Sequence, residues 1–128
     1  MGLDCWVARR PYEPAALTDG EGAVFAGLDL PLSEWTAQGS SVHFAGKRYL
    51  AVVERVADVV LSEPWIAPAI VAHMAQRFAA SDAQTALAAL NADDPGYEGW
   101  PLSLEEFAAL RVLFQTCAAA GLGLANDW

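Results

Sequence analysis

Positive charge is what this sequence has least of. Seven Lys and Arg stand against sixteen Asp and Glu, a formal net charge of −9, and residues 13–46 and 78–110 contain no Lys or Arg. Contacts to nucleic-acid phosphates need a basic surface that releases counterions, so the composition argues against direct nucleic-acid binding. Long apolar runs are also missing. No stretch of about 18 apolar residues occurs, and the N-terminal MGLDCWVARR carries its charges after its apolar residues, the reverse of a signal peptide. A cytoplasmic location with no membrane partner is therefore expected.

The residues that carry chemistry are scarce as well. Cys5 and Cys117 have no C-x-x-C spacing and no neighbouring His, so neither a zinc ligand set nor a redox dithiol is indicated. A disulfide between them is not expected in a reducing cytosol. The two histidines, His43 and His73, form no H-E-x-x-H pattern. G-x-S-x-G is absent, and the serines after Gly39 read as a helix cap. GLDLPLSE and GLGL lack the G-K-[ST] ending of a phosphate loop. Asp93, Asp94 and Glu98 lack the spacing of a calcium loop. No catalytic residue, cofactor or metal is assigned on this basis.

What is present is an apolar fraction of 55% in 128 residues, enough for one core and so for a single compact domain spanning 1–128. Leu3, Cys5 and Val7 alternate with Asp4, Trp6 and Ala8, a strand of period two. The stretch 23–30, AVFAGLDL, has strand character interrupted by Gly27. Tyr49, Val52, Val53, Val56 and Val60 recur at helical steps, predicting a helix over 41–61 capped by Ser40 or Ser41 and ended by Glu63-Pro64. Pro68 suits the first turn of a helix over 68–80. Ser81 or Asp82 caps a third over 82–91. Ser103 and Glu106 form the S-x-x-E capping box of a helix over 104–120, which Gly121 ends. The apolar tail GLGLANDW is expected to return as a strand beside the first. The fold predicted is α+β, with three or four helices on a small antiparallel or mixed sheet. Its core comprises Tyr49, Val53, Val56, Val60, Ile70, Met74, Phe78, Phe107, Leu110, Phe114 and Cys117.

Lys47, Arg48 and Arg55 place three of the seven bases within nine residues. In a helix over 41–61 the first two would stand at the start and Asp58 near the end, opposite to the macrodipole preference. The favoured reading is internal: these bases pair with the acid-only segments and pin the N-terminal third or the 92–101 loop to the helical layer. The surface left outside is then still more acidic. Of the five tryptophans, Trp35, Trp65, Trp100 and Trp128 fall in loops or ends, where they pack loops onto the core or stand as partly exposed anchors.

The opening M-G-L-D, the serine-capped helix, the Pro-Trp-Ile-x-Pro link and the late capping-box helix together resemble small bacterial and phage proteins as a broad class. No functional residue is carried across from that likeness. An acidic surface with aromatic anchors suits a basic protein. The leading expectation is therefore a non-catalytic protein-binding module of inhibitor or immunity type, monomer or homodimer, covering a basic site on a nuclease or phage-defence complex. The partner-binding residues expected are Asp82, Asp93, Asp94, Tyr97, Glu98 and Trp100, on one exposed face. The alternative is a small enzyme or small-molecule-binding domain using His43 or His73.

Overall fold

The computed structural model describes residues 2–11, 17–93 and 101–128. The period-two reading of the N-terminus holds. In β1 (Asp4–Ala8) Cys5 and Val7 point into the core with no exposure, while Asp4 and Trp6 face the other way. The apolar tail forms β5 (Gly123–Asp127), antiparallel to β1 with Trp6 opposite Ala125 and Asp4 opposite Asp127. Around this pair the sheet extends on both sides in the order β2-β3-β1-β5-β4, with β2 (Thr36–Gln38), β3 (Ser41–Ala45) and β4 (Trp65–Ile66), every neighbour antiparallel.

Five α-helices occur among the described residues: α1 (Asp19–Ala26), α2 (Leu50–Ala57), α3 (Pro68–Ala80), α4 (Ala83–Asp93) and α5 (Leu104–Ala120). α3 and α5 form the most extensive helix pair, α3 touches β5, and α1 touches β2, β3 and α5, so the helices make one layer on the Cys5/Val7 side of the sheet. The fold is α+β, as the sequence predicts. Phe78 from α3 meets Phe107 and Phe114 from α5 at centroid distances of 5.0 and 5.2 Å, a geometry that favours aromatic pairs beyond their buried area.

Three expectations are corrected. The predicted helix over 41–61 is two elements: 41–45 is β3, and after Gly46 a 3-10 turn at Lys47–Tyr49 leads into the shorter α2. Val42 and Phe44 are buried between the half-buried Ser41, His43 and Ala45, a period-two pattern hidden beside the helical one. Lys47 and Arg48 therefore precede α2, Asp58 follows it, and Arg55 lies in its last turn, so the reversed charge polarity does not exist. Second, the strand character of 23–30 gives way to α1, whose start carries a full capping box: Glu21 N–H donates to Thr18 Oγ1 at 3.1 Å and Thr18 N–H to Glu21 Oε1 at 2.8 Å. Third, Val60 and Ile70 are 48% and 44% exposed. Val60 lies beyond the end of α2, where the helical register that nominated it no longer applies; Ile70 is in the first turn of α3, whose buried side runs through Val71, Met74, Ala75 and Phe78. The other nine predicted core residues are buried.

Candidate functional site

The bases act on helix ends before any surface is considered. Arg48 forks onto Glu106, Nε to Oε2 at 2.7 Å and Nη2 to Oε1 at 3.0 Å, and Nη2 also donates to the Pro101 carbonyl at 3.0 Å. Pro101 and the start of α5 are thereby pinned to the turn before α2, the internal role expected of Arg48. Glu106 also accepts from Tyr49 Oη, Ser103 N–H and Ser103 Oγ at 3.0, 3.2 and 3.2 Å. Burial pushes its carboxyl up, but the hydrogen bonds from Arg48, Ser103 and Tyr49 outweigh that and hold it below the usual carboxylate range. Arg77 donates to the Val56 carbonyl, and Arg111 to those of Phe78 and Ser81, satisfying orphan carbonyls at the ends of α2 and α3. Arg9 pairs with Glu21 at 3.2 Å.

The candidate histidines divide. His73 Nε2 donates to the Ala57 carbonyl at 3.1 Å, which makes it part of the α2–α3 contact. His43 stands on β3 opposite Trp6. Its Nε2 donates to Asp4 Oδ1 at 2.9 Å, with the imidazole side chain 13% exposed and the Asp4 side chain 51% exposed, and its ring lies 4.5 Å from the Trp6 ring. Cys5 and Cys117 are buried and free. Burial pushes the Cys117 thiol up to about 12 and raises Cys5 further, with Asp4 adding to it. Neither supplies a thiolate nucleophile at neutral pH. No group of three His, Cys, Asp or Glu side chains converges among the described residues.

On the sheet face away from the helices, the register places Thr36, His43, Trp6, Ala125 and Trp65 in one row across all five strands. The next row holds Ala45, Asp4 and Asp127. Gly123 lacks a side chain where a Cβ would meet the Ile66 carbonyl oxygen at 2.4 Å and Trp65 Cη2 at 2.8 Å, so the Trp65 ring leans over Gly123. Space is left above Ala125. There a cleft of about 460 Å³ opens, lined by Trp6, Ser62, Pro64, Ala125, Asn126, Asp127 and Trp128. Trp128 is 53% exposed. Among the described residues that line the cleft there is a carboxylate and no Lys, Arg or His.

Asp4 and Asp127 are cross-strand partners on this open face. Like charges directly opposite each other weaken a sheet, and His43 offsets only the Asp4 side. Asn126, opposite Cys5 in the register, ties β5 to the segment before β4: its Nδ2 donates to the carbonyls of Leu61 and Glu63 at 2.7 and 3.0 Å. Its Oδ1 is buried with no hydrogen-bond partner among the described residues.

Of the residues expected to bind a partner, Asp82 is exposed and accepts from Thr85 N–H at 3.1 Å and from Thr85 Oγ1. The Thr85 hydroxyl, then its N–H, lower the Asp82 carboxyl. It caps α4, and Asp93 is the last residue of that helix, roughly 16 Å away at about 1.5 Å per residue. The Asp93 side chain and residues Asp94, Tyr97, Glu98 and Trp100 lie outside the described residues. Trp35 follows the loop-packing reading, its Nε1 donating to the Leu28 carbonyl at 3.0 Å. Trp6, Trp65, Asp127 and Trp128 were not nominated as a group by sequence, although Trp6 sits on the polar side of a period-two strand. No described helix is long and apolar enough to cross a membrane. Comparison with protein-family models, with curated proteins and with solved structures finds no match to this chain.

Proposed function

We propose that the protein is a non-catalytic binding module of inhibitor or immunity type that docks a basic protein on the open face of its sheet. One observation carries the reading: the face opposite the helical layer presents the facing carboxylates Asp4 and Asp127 beside a cleft that Trp6, Asp127 and Trp128 help to line, with no base among its described lining residues. Aromatic anchors give a docked partner residence time, and carboxylates speed its approach and select its charge. The overall charge of −9 acts in the same direction at longer range. A nuclease or a phage-defence complex, with a surface built for phosphate, has the required basic face. Within this proposal the acidic loop of Asp93, Asp94, Tyr97, Glu98 and Trp100, with Asp82, serves as an outer steering surface.

The test is comparative capture from the cells in which the protein occurs. Tagged wild type is expected to retain one basic protein that elutes as salt rises. A D4N/D127N variant should lose it, and an E54Q/E105Q variant, altered only at exposed helix positions, should keep it. Retention by the open-face variant with loss by the helical-side variant would move the interface to the helices. The His43–Asp4 pair favours the small-molecule alternative geometrically, yet neither histidine lines the cleft.

A further inference from the structure

The cleft is specific enough in its chemistry to name the group it takes. We infer that it receives a guanidinium, the side chain of an arginine presented by the basic partner. The inference rests on the protein-binding reading above.

Three features of the site converge on a planar cation. Two tryptophans, Trp6 and Trp128, line it together with the carboxylate of Asp127. A guanidinium is planar and weakly hydrated, stacks on an indole and forks onto a carboxylate, whereas an ammonium is compact and strongly hydrated. Asp127 also lies directly opposite Asp4, a like-charge pair that a cation seated between the strands would neutralise. Finally, one side of the cleft is held in place by the protein itself. Trp6 is fixed in position by His43, whose ring centroid is 4.5 Å away, so that side exists before any ligand arrives and little ordering is required on binding. The opening of about 460 Å³ exceeds a single side chain. Part of the partner's backbone would therefore enter with the arginine.

The experiment follows the indole N–H resonances of the isotope-labelled full chain by NMR. The probes are Nα-acetyl-arginine methylamide and its neutral isostere Nα-acetyl-citrulline methylamide, with the lysine derivative as a third. The arginine derivative should shift the Trp6 and Trp128 signals saturably, while Trp35 stays still. The neutral citrulline derivative should bind about threefold to fivefold more weakly, the scale of one exposed charge contact, and the lysine derivative more weakly than arginine because an ammonium neither stacks on an indole nor forks onto a carboxylate. Asp127→Asn should weaken arginine binding about threefold to fivefold, and Trp128→Ala, at an exposed position that does not support the core, should abolish the Trp6 response. Equal binding of citrulline and arginine, tighter binding of lysine, or no saturable shift of either indole up to the solubility limit would overturn the inference. The two readings fail separately. A cleft indifferent to arginine in a protein that still captures a basic partner through Asp4 and Asp127 removes only the guanidinium. Arginine binding without any protein capture removes only the protein-binding reading.

Discussion

Glu106 is the residue on which most interactions converge. It closes the capping box of α5, receives the fork of Arg48 and accepts from Tyr49, and Tyr49 Oη in turn accepts from Ser33 N–H at 2.9 Å. Glu106→Ala would strand a guanidinium and a phenol at a partly buried site. A loss on the order of 2–4 kcal/mol in urea unfolding is expected. Because the folded-state carboxyl titrates below its unfolded value, its contribution is complete above the ordinary Glu range near pH 4.3 and is lost as pH falls through the lower folded value. Glu106→Gln should therefore flatten the loss of stability between about pH 5 and 3. The alkaline side mirrors this. Burial raises the Tyr49 hydroxyl to about 12, so stability held by the neutral phenol is full below about pH 10 and is lost as pH rises through the folded value. At neutral pH Cys5 and Cys117, buried and held as thiols, should react with a thiol reagent only at the rate of unfolding. Fast labelling of the native protein would contradict their placement.

At the scale of elements, α1 gives a test in which two glycines of one helix respond with opposite sign. A Cβ at Gly22 would come within 1.7 Å of the Gly39 carbonyl oxygen, in the turn joining β2 to β3, whereas one at Gly20 would meet nothing. Gly22→Ala should cost about 1–3 kcal/mol by forcing α1 away from that turn, and Gly20→Ala should be neutral or stabilising by up to about 1 kcal/mol. Thermal unfolding of the pair checks it; equal responses would mean that α1 is not seated there. The same element shows what the sequence makes legible. Capping boxes are local, and Ser103 with Glu106 announced α5, yet Thr18 with Glu21 went unread because two glycines and a strand-like AVF stand beside them. The helices α3, α4 and α5 and the central strand β1 follow from local sequence signals. β3 does not, because its five residues run into a longer helical pattern, and what separates them is the tertiary contact at Gly46, where a Cβ would strike Cys5 Sγ.

The whole molecule is a helical layer on one face of a five-stranded sheet and an aromatic, carboxylate-bearing row on the other. Little of that second face is legible in the chain. Trp6 betrays itself as a large ring on the polar side of a strand, but its alignment with Ala125 and Trp65 depends on strands distant in sequence. The pairing of Asp4 with Asp127 is the feature the proposed function explains at this scale, since like charges directly opposite each other weaken a sheet. Asp127→Asn should accordingly raise the stability of the unbound protein by a few tenths of a kcal/mol while weakening its complex; a variant weakened in both would show the pair to be structural.

The account stands or falls on which face meets the partner, and site-specific photo-crosslinking reads that directly. A benzophenone side chain at Ser62, which helps to line the cleft, is compared with one at Gln115, exposed on the outer side of α5. Irradiation in the cells in which the protein occurs is predicted to give an adduct with one basic protein from position 62, suppressed by D4N/D127N, and none from position 115. Adducts from position 115 alone, or an adduct at 62 with an acidic protein that ignores the double substitution, would contradict it.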